Sequence, residues 1–346
     1  MIMEYKVKEV YPSEFGTLKK EWNQLEKGED MTYYQSYHWY ESIMKFMPEK
    51  KGRYGSVFLC IYGGGKLLLI CPLWIIFKTT NLVNKPGVYL LGRRGWSDYL
   101  NVVYDDCPPE VFKMFFDYVT DKWKISNFCL EQLKEQTRFY QYVSSSYTLH
   151  KDIVTTCVSL LIPENNEAYK KLLSKNSRQN IRTARNRLTK DVLNIRYSLD
   201  DTPDLEICKR MRAKRVVKKN KAKTVVDWLR QKKGKIKARM EIDFPAYLPF
   251  YADKDSHFMT AYINDELAAF FNYAFDVNHS EILLMAVGTN EKFVRYSPGV
   301  LLIYEYITSQ IESKKIKTLD FTRGNEPYKY HLGGSNHLIH SLEFSL

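Results

Sequence analysis

The sequence predicts an α/β (α+β) fold in two domains. Three observations carry this. A length of 346 residues suits one or two domains with a substantial core. Apolar runs bounded by Gly, Asn and Asp turns alternate with stretches of helical spacing in both halves. The order hairpin, strand, helix, strand, helix, strand in the first half parallels the order in the second.

In the first half, residues 13–26 form a helix, with Phe15, Leu18, Trp22 and Leu25 on one face. Residues 32–47 (TYYQSYHWYESIMKFM) form a second, whose aromatic face suits a core and which also carries Gln35, Ser36 and His38. Ser56–Tyr62 and Lys66–Phe77 make a hairpin around Gly63-Gly64-Gly65. Gly87–Leu91 is a strand, Gly92–Tyr99 a loop rich in reactive side chains, and Asn101–Tyr104 a further strand. Then come helix Pro108–Trp123, strand Ser126–Leu130, helix Lys134–Val143 and strand Ile153–Leu161. The run Pro163-Glu164-Asn165-Asn166 marks the boundary, giving domains 1–160 and 161–346.

The second half opens with one helix, Glu167–Lys190, and strand Asn194–Leu199. Residues 203–240 read as basic helices interrupted at Gly234, and Pro245–Tyr251 leads into a sheet. Strands His257–Ile263, Leu267–Phe275 and Glu281–Val287 are joined by tight turns. Ser297 caps a helix that begins at Pro298, with Val300, Ile303, Tyr304, Ile307 and Ile311 on its apolar side. Strand Lys317–Phe321, a turn at Gly324–Pro327 and strand Leu338–Phe344 finish the chain. Bare N–H groups at the Pro298 helix start would attract an anion such as pyrophosphate, and Gly299 leaves room for it.

Composition narrows the function. Hydrophobic residues make up 45% and charged residues 27%, as in a water-soluble globular chain. The start, MIMEYKVKEVYPSEF, lacks a signal-peptide core, and the longest apolar run, Leu67–Phe77, is too short to span a bilayer. A cytoplasmic location is expected. The six cysteines are scattered without a CxxC pair, so buried free thiols are expected. The histidines lack metal spacing, and no metal is expected; His337 and His340 would point to opposite faces of a strand. Residues 170–239 hold 24 Lys/Arg against 6 Asp/Glu, a net +18, while the rest is net −6. Three uses are open to that segment: the phosphates of a nucleotide carrier, which need far fewer charges, anionic lipid headgroups, or RNA; solvated helix faces are the plain alternative.

The stretch SPGVLLIYEYI, the strand end DFTRG and the segment EPYKYHLGG resemble the CelD/BcsL-like, exopolysaccharide-associated acetyltransferases of the GNAT superfamily. These are relatives of the Fem aminoacyltransferases. The Q-S-x-x-W segment at Gln35, Ser97-Asp98-Tyr99, and S-x-x-x-R-x-x-I-R-x-x-R-x-x-L from Ser174 add to the likeness. It covers the last 180 or so residues well and the first 150 loosely; the excess of charge over residues 209–239 departs from it.

The resemblance implies tandem GNAT-like acyl-CoA N-acyltransferase domains, each with a mixed, largely antiparallel sheet flanked by helices. Residues 1–160 would be a divergent domain on the scaffold and acceptor side, since Pro108-Pro109 stands where a Gly-bearing helix start would be. Residues 161–346 would hold the acyl-CoA, with the basic helical segment 167–240. Met285, Ala286 and Val287 would supply main-chain contacts to the acyl donor, and Ser297, Gly299, Val300 and Leu301 would hold its pyrophosphate. Tyr328 would be the acid that protonates the departing thiolate, with Asp320 and Glu326 as candidate bases. Asp98, Tyr99, Trp96, Arg323 and Lys329 would bind the acceptor, with Arg93 and Arg94 as companions.

The implied reaction moves an acetyl or short acyl group from acyl-CoA to an amine, expected to be an amino sugar, free or lipid-linked, in surface or capsular polysaccharide biosynthesis. The basic segment would then rest on an anionic membrane at its inner face. One alternative is Fem-like transfer from aminoacyl-tRNA, the one role in which nucleic acid enters. Another is a non-catalytic assembly protein that keeps the fold.

Overall fold

The computed structural model describes residues 4–45, 54–77, 86–93, 97–199, 202–219 and 257–346. The expectations for Arg94, Trp96, the break at Gly234, Pro245–Tyr251 and the basic residues from 220 onward lie outside them. Two compact units emerge. Among the described residues, the first runs to Thr155 and includes Leu338–Leu346, and the second is Thr156–His337.

In the first unit, a 3-10 turn (Pro12–Leu18) leads into helix α1 (Lys19–Leu25), and Ser36 caps α2 (Tyr37–Met44) by accepting the Trp39 N–H. The expected single helix over 32–47 is thus a 3-10 turn, Tyr33–Gln35, followed by α2. Strands β1 (Tyr5–Val10), β2 (Tyr54–Gly63), β3 (Lys66–Ile76), β4 (Gly87–Leu90) and β6 (Asn127–Lys134) lie in that order. The short β5 (Val103–Tyr104) pairs with β3. Helix α3 (Pro109–Trp123) buries Phe112, Phe115 and Phe116. Strand β6 extends into residues expected to start a helix, so α4 begins only at Arg138 (Arg138–Ser146). Strand β7 (Leu149–Leu161) contains the division between units at Thr155/Thr156, and the last strand, β13 (Ser335–Ser345), contains the second at His337/Leu338.

In the second unit the expected helix 167–190 is two. Leu173 is extended, and Ser174 then caps a new start by accepting the Ser177 N–H at 3.1 Å. The result is α5 (Asn166–Leu172) and α6 (Lys175–Lys190). Strands β8 (Ile195–Ser198), β9 (His257–Ile263), β10 (Glu266–Asp276) and β11 (Glu281–Thr289) pair antiparallel in sequence order. Strand β12 (Thr318–Arg323) runs parallel to β11 and antiparallel to β7. Helix α8 (Pro298–Ser313) connects β11 to β12. This is the mixed, largely antiparallel sheet with flanking helices that the sequence predicts.

The two faces of this sheet are covered differently. Helices α5, α6 and α8 pack on Ala269, Phe271, Tyr273, Ile282 and Leu284. Helix α7 (Leu205–Lys219) packs on Phe258, Leu267 and Phe270 through Cys208 and Met211. Among the described residues, no helix is long and apolar enough to cross a membrane.

Five of the six cysteines are buried, Cys129 is half-buried, and all six are free thiols. Burial pushes Cys60, Cys107, Cys129 and Cys208 up to about 12.

Candidate active site

The site begins with a strand that gains a residue. In the β10–β11 ladder Tyr273 opposes Leu284 but Asn272 opposes Ala286, so Met285 is the extra residue of a bulge. Side chains alternate along a strand, and one inserted residue switches faces. Ile282 and Leu284 face α8, and beyond the bulge Val287 does too. Gly288 turns to α7 instead, where a Cβ would meet Phe270 Cε1 at 2.3 Å and Met211 Cβ at 3.0 Å.

Strands β11 and β12 then part. Their register runs Glu281–Thr318, Ile282–Leu319, Leu283–Asp320 and stops there, although β11 continues to Thr289. The parting is held by Thr322, whose N–H donates to Asp320 Oδ1 at 2.6 Å and whose Oγ1 donates to the Leu284 carbonyl at 2.9 Å. Thr322 has φ +56°. That conformation is costly for a β-branched residue, about 1–3 kcal/mol.

A cleft of about 340 Å³ opens beside the far half of β11. Its lining includes Val287, Ser297, Gly299 and Val300, offered as donor contacts, together with Tyr328, offered as the acid. Lys214, Phe271, Thr289, Glu291 and Val294 line it as well and were not singled out. Phe271 and Thr289 follow from the β10–β11 register, and Lys214 from α7 packing on Gly288; neither signal exists before the strands are paired. Met285, Ala286 and Leu301 are buried, at most 7% exposed, and are not among the lining residues.

The helix start differs from expectation in one respect. Ser297 occupies the cap position of α8 with φ 49° and ψ 47°, and its side chain makes no cap bond. Its carbonyl accepts the N–H groups of Val300 at 3.0 Å and Leu301 at 3.1 Å. Pro298 has no N–H, so the bare backbone amide is that of Gly299. Arg187 Nη1 donates to the Arg295 carbonyl at 2.9 Å, and Tyr296 Oη donates to Asp191 Oδ2 at 2.6 Å. These bonds fasten the end of α6 to the turn that feeds α8. The Asp191 carboxylate raises the Tyr296 phenol above its ordinary pKa.

Asp320 is fully buried. Beside it are the Thr322 N–H and His337, with Nε2 of His337 3.6 Å from Asp320 Oδ2. Neighbouring Leu319 and Phe321 belong to the α8-side core, so alternation turns Asp320 to the other face.

Lys329 needs a correction. Offered as an acceptor-binding residue, it is 2% exposed on the short helix α9 (Pro327–His331). Its Nζ donates to the carbonyls of Thr322 (3.1 Å), Arg323 (2.8 Å) and Gly324 (2.8 Å). Glu326 Oε2 lies 3.1 Å from the same ammonium. An ammonium has three donors, and these carbonyls use them. Burial lowers its pKa, against the opposing pull of Glu326. Lys329 therefore knots the DFTRG turn, and Glu326, a candidate base, is its ion partner. Arg323 is half-buried, and its carbonyl is part of that knot. Tyr328 is half-buried in the cleft wall, edge-on to Phe321.

Asp98 and Tyr99 lie in the first unit and are buried, 9% and 1% exposed. Tyr34 Oη donates to Asp98 Oδ2 at 3.5 Å, Gln35 Nε2 to the Tyr99 carbonyl at 3.0 Å, and Trp39 Nε1 to Ser97 Oγ at 2.9 Å. Two motifs read separately, the aromatic stretch and Ser97-Asp98-Tyr99, are one hydrogen-bonded cluster. Arg93 pairs with Glu131 at 2.5 Å and lies 3.9 Å from the centre of the Tyr89 ring.

No curated protein matches this sequence. Three solved structures share the fold at low identity. The crystal structure of FemX has TM-score 0.61 and 10% identity, covering 99% of this chain and 97% of that one. The C-terminal domain of a putative lysylphosphatidylglycerol synthetase from Agrobacterium fabrum has TM-score 0.52 and 8% identity, covering 95% and 92%. L-PGS from Bacillus licheniformis has TM-score 0.50 and 10% identity, covering 94% and 90%. Residues 175–330, which carry every lining residue of the cleft, match the family described as Acetyltransferase (GNAT) domain.

Proposed function

We propose that the protein is an acyl-CoA-dependent N-acyltransferase of the CelD/BcsL-like type, moving an acetyl or short acyl group to an amino sugar in surface-polysaccharide assembly. The parting of β11 and β12 beyond Leu283 and Asp320, next to the open helix start at Gly299, carries the donor half of this reading. The pantetheine arm would lie in that gap. A main-chain N–H near the Met285 bulge would face the thioester oxygen, where a donor in a dry site counts most. The Gly299 amide and Lys214 would take the pyrophosphate.

Attack by an amine requires its neutral form, and the departing thiolate gains from a proton. Tyr328 in the cleft wall is the acid in this scheme. Asp320, oriented by the Thr322 N–H and facing His337, is the base. Asp98 and Tyr99 would act on the acceptor side through the shape of their loop, since their own side chains are enclosed.

Calorimetry with acetyl-CoA on the wild type and on Gly299→Trp tests the donor site. Binding by the wild type and its loss in the variant is expected; equal binding, or none by the wild type, removes the reading. Tyr328→Phe should lower turnover of an accepted amino sugar about 10²–10⁴-fold with acetyl-CoA affinity retained.

The basic character of 170–239 and the FemX-like fold favour one second reading, aminoacyl transfer from tRNA. Salt-dependent tRNA binding without acetyl-CoA binding would select it.

A further inference from the structure

We propose that the groove between α5, α6 and α8 binds a phosphate or diphosphate ester. It shares no lining residue with the cleft at Gly299 and does not depend on the acyl-donor reading. The groove holds about 250 Å³. Arg178, Arg182 and Arg185 line it from α6, at spacings of four and three residues that put them on one helix face. Lys170 enters from α5 and Tyr304 from α8.

The arginines are held in place before any ligand arrives. Arg178 Nη1 donates to the carbonyls of Lys170 at 2.8 Å and Leu173 at 2.6 Å, which leaves other donors of its guanidinium uncommitted. Arg185 pairs with Glu305 and lies 5.1 Å from the centre of the Tyr304 ring. Tyr304 in turn stacks on the buried Tyr169 at 5.6 Å. Among the described residues, no acidic side chain pairs with Arg178 or Arg182. Lys170 pairs with Glu167 at 2.8 Å, as Arg185 does with Glu305, so the charge that faces the concavity without an acidic partner among the described residues is that of Arg178 and Arg182, and it favours an anion. Guanidinium forks match paired oxygens, which a halide lacks, and the additional oxygens of a phosphate ester let more than one arginine engage at once. The volume suits one or two phosphoryl groups, with the Tyr304 ring beside them for the body of the ester.

The Arg182 side chain is exposed and pairs with no acidic side chain among the described residues, so Arg182→Gln leaves the fold intact; Lys190→Gln, at the far end of α6, is the charge-matched control. Calorimetry with inorganic pyrophosphate and with ADP, and flotation with phosphatidylcholine vesicles with and without phosphatidylglycerol, would be run on all three proteins. Wild-type binding to a soluble phosphate, weakened at least tenfold by Arg182→Gln and not by Lys190→Gln, is the expected result. The same pattern seen only with phosphatidylglycerol vesicles supports the site and makes the phosphate a lipid headgroup's. No wild-type binding to any probe overturns the proposal. So does equal loss in both variants, which is diffuse charge, or no loss in Arg182→Gln.

Discussion

A methyl group placed on Gly299 would stand 3.4 Å from Thr289 Oγ1, with Phe271 and Ala269 at 3.8 and 4.0 Å. The protein's own packing thus tolerates a side chain of that size at the start of α8. Whatever calls for glycine there would come from outside the chain.

Gly299→Ala should accordingly stabilise the fold slightly, by about 0.4–1 kcal/mol, because alanine loses less backbone entropy on folding. Acetyl-CoA affinity should fall at the same time. Urea denaturation paired with calorimetry checks the opposed signs; loss of stability would mean the contact with Thr289 is already too tight.

Gly288 is the opposite case. Its Cβ would meet Phe270 Cε1 at 2.3 Å and Met211 Cβ at 3.0 Å, so Gly288→Ala should cost about 1–3 kcal/mol by overpacking. The damage should appear as faster amide exchange in α7, with α6 much less affected.

Removing the Lys329 ammonium leaves three carbonyls without their donor and takes a counter-charge from the Glu326 carboxylate. Lys329→Met should cost roughly 3–5 kcal/mol in urea unfolding, the scale for breaking a buried ion pair. The folded-state pKa of Lys329 lies below its unfolded value, so the unfolded chain holds this proton more tightly and Lys329 makes stability rise with pH in the window below about 10.4. The variant should lose that contribution.

The thiols act with the other sign. Cys60, Cys107, Cys129 and Cys208 reach about 12 in the folded protein against an ordinary 9.0. The folded state then binds more protons than the unfolded one between those values. Their contribution is complete below about pH 9 and is lost as pH climbs toward 12. Urea midpoints should fall steadily above pH 9, and Cys60→Ala should flatten part of the fall. A midpoint constant across that range would contradict it.

Much of the fold was readable because period and punctuation agree. His257–Ile263 is a strand with the bounds its alternation gives, and Pro298 begins α8 as its chemistry dictates. The break at Ser174 was hidden, since Glu167–Lys190 keeps a helical apolar pattern through it. The cleft was half legible. Ser297 and Gly299 carry local signals and Tyr328 was marked by the family resemblance, but Lys214 and Phe271 reach the same cavity only through sheet register and the docking of α7. The fate of Lys329 was invisible, because nothing in a linear string says that three consecutive carbonyls will turn toward one ammonium.

The bulge at Met285 makes the length of β11 matter more than its spelling. Exchange Met285 for leucine and every neighbour keeps its orientation. Delete it, and Ala286 still opposes Asn272 and Val287 still opposes Phe271, so the far end of the strand keeps its faces and only the bulge is lost. Insert one residue between Ala286 and Val287, and Val287 and Thr289 turn away from the cavity while Gly288 swings into it. A library scan should therefore tolerate removal of Met285 far better than an insertion between Ala286 and Thr289.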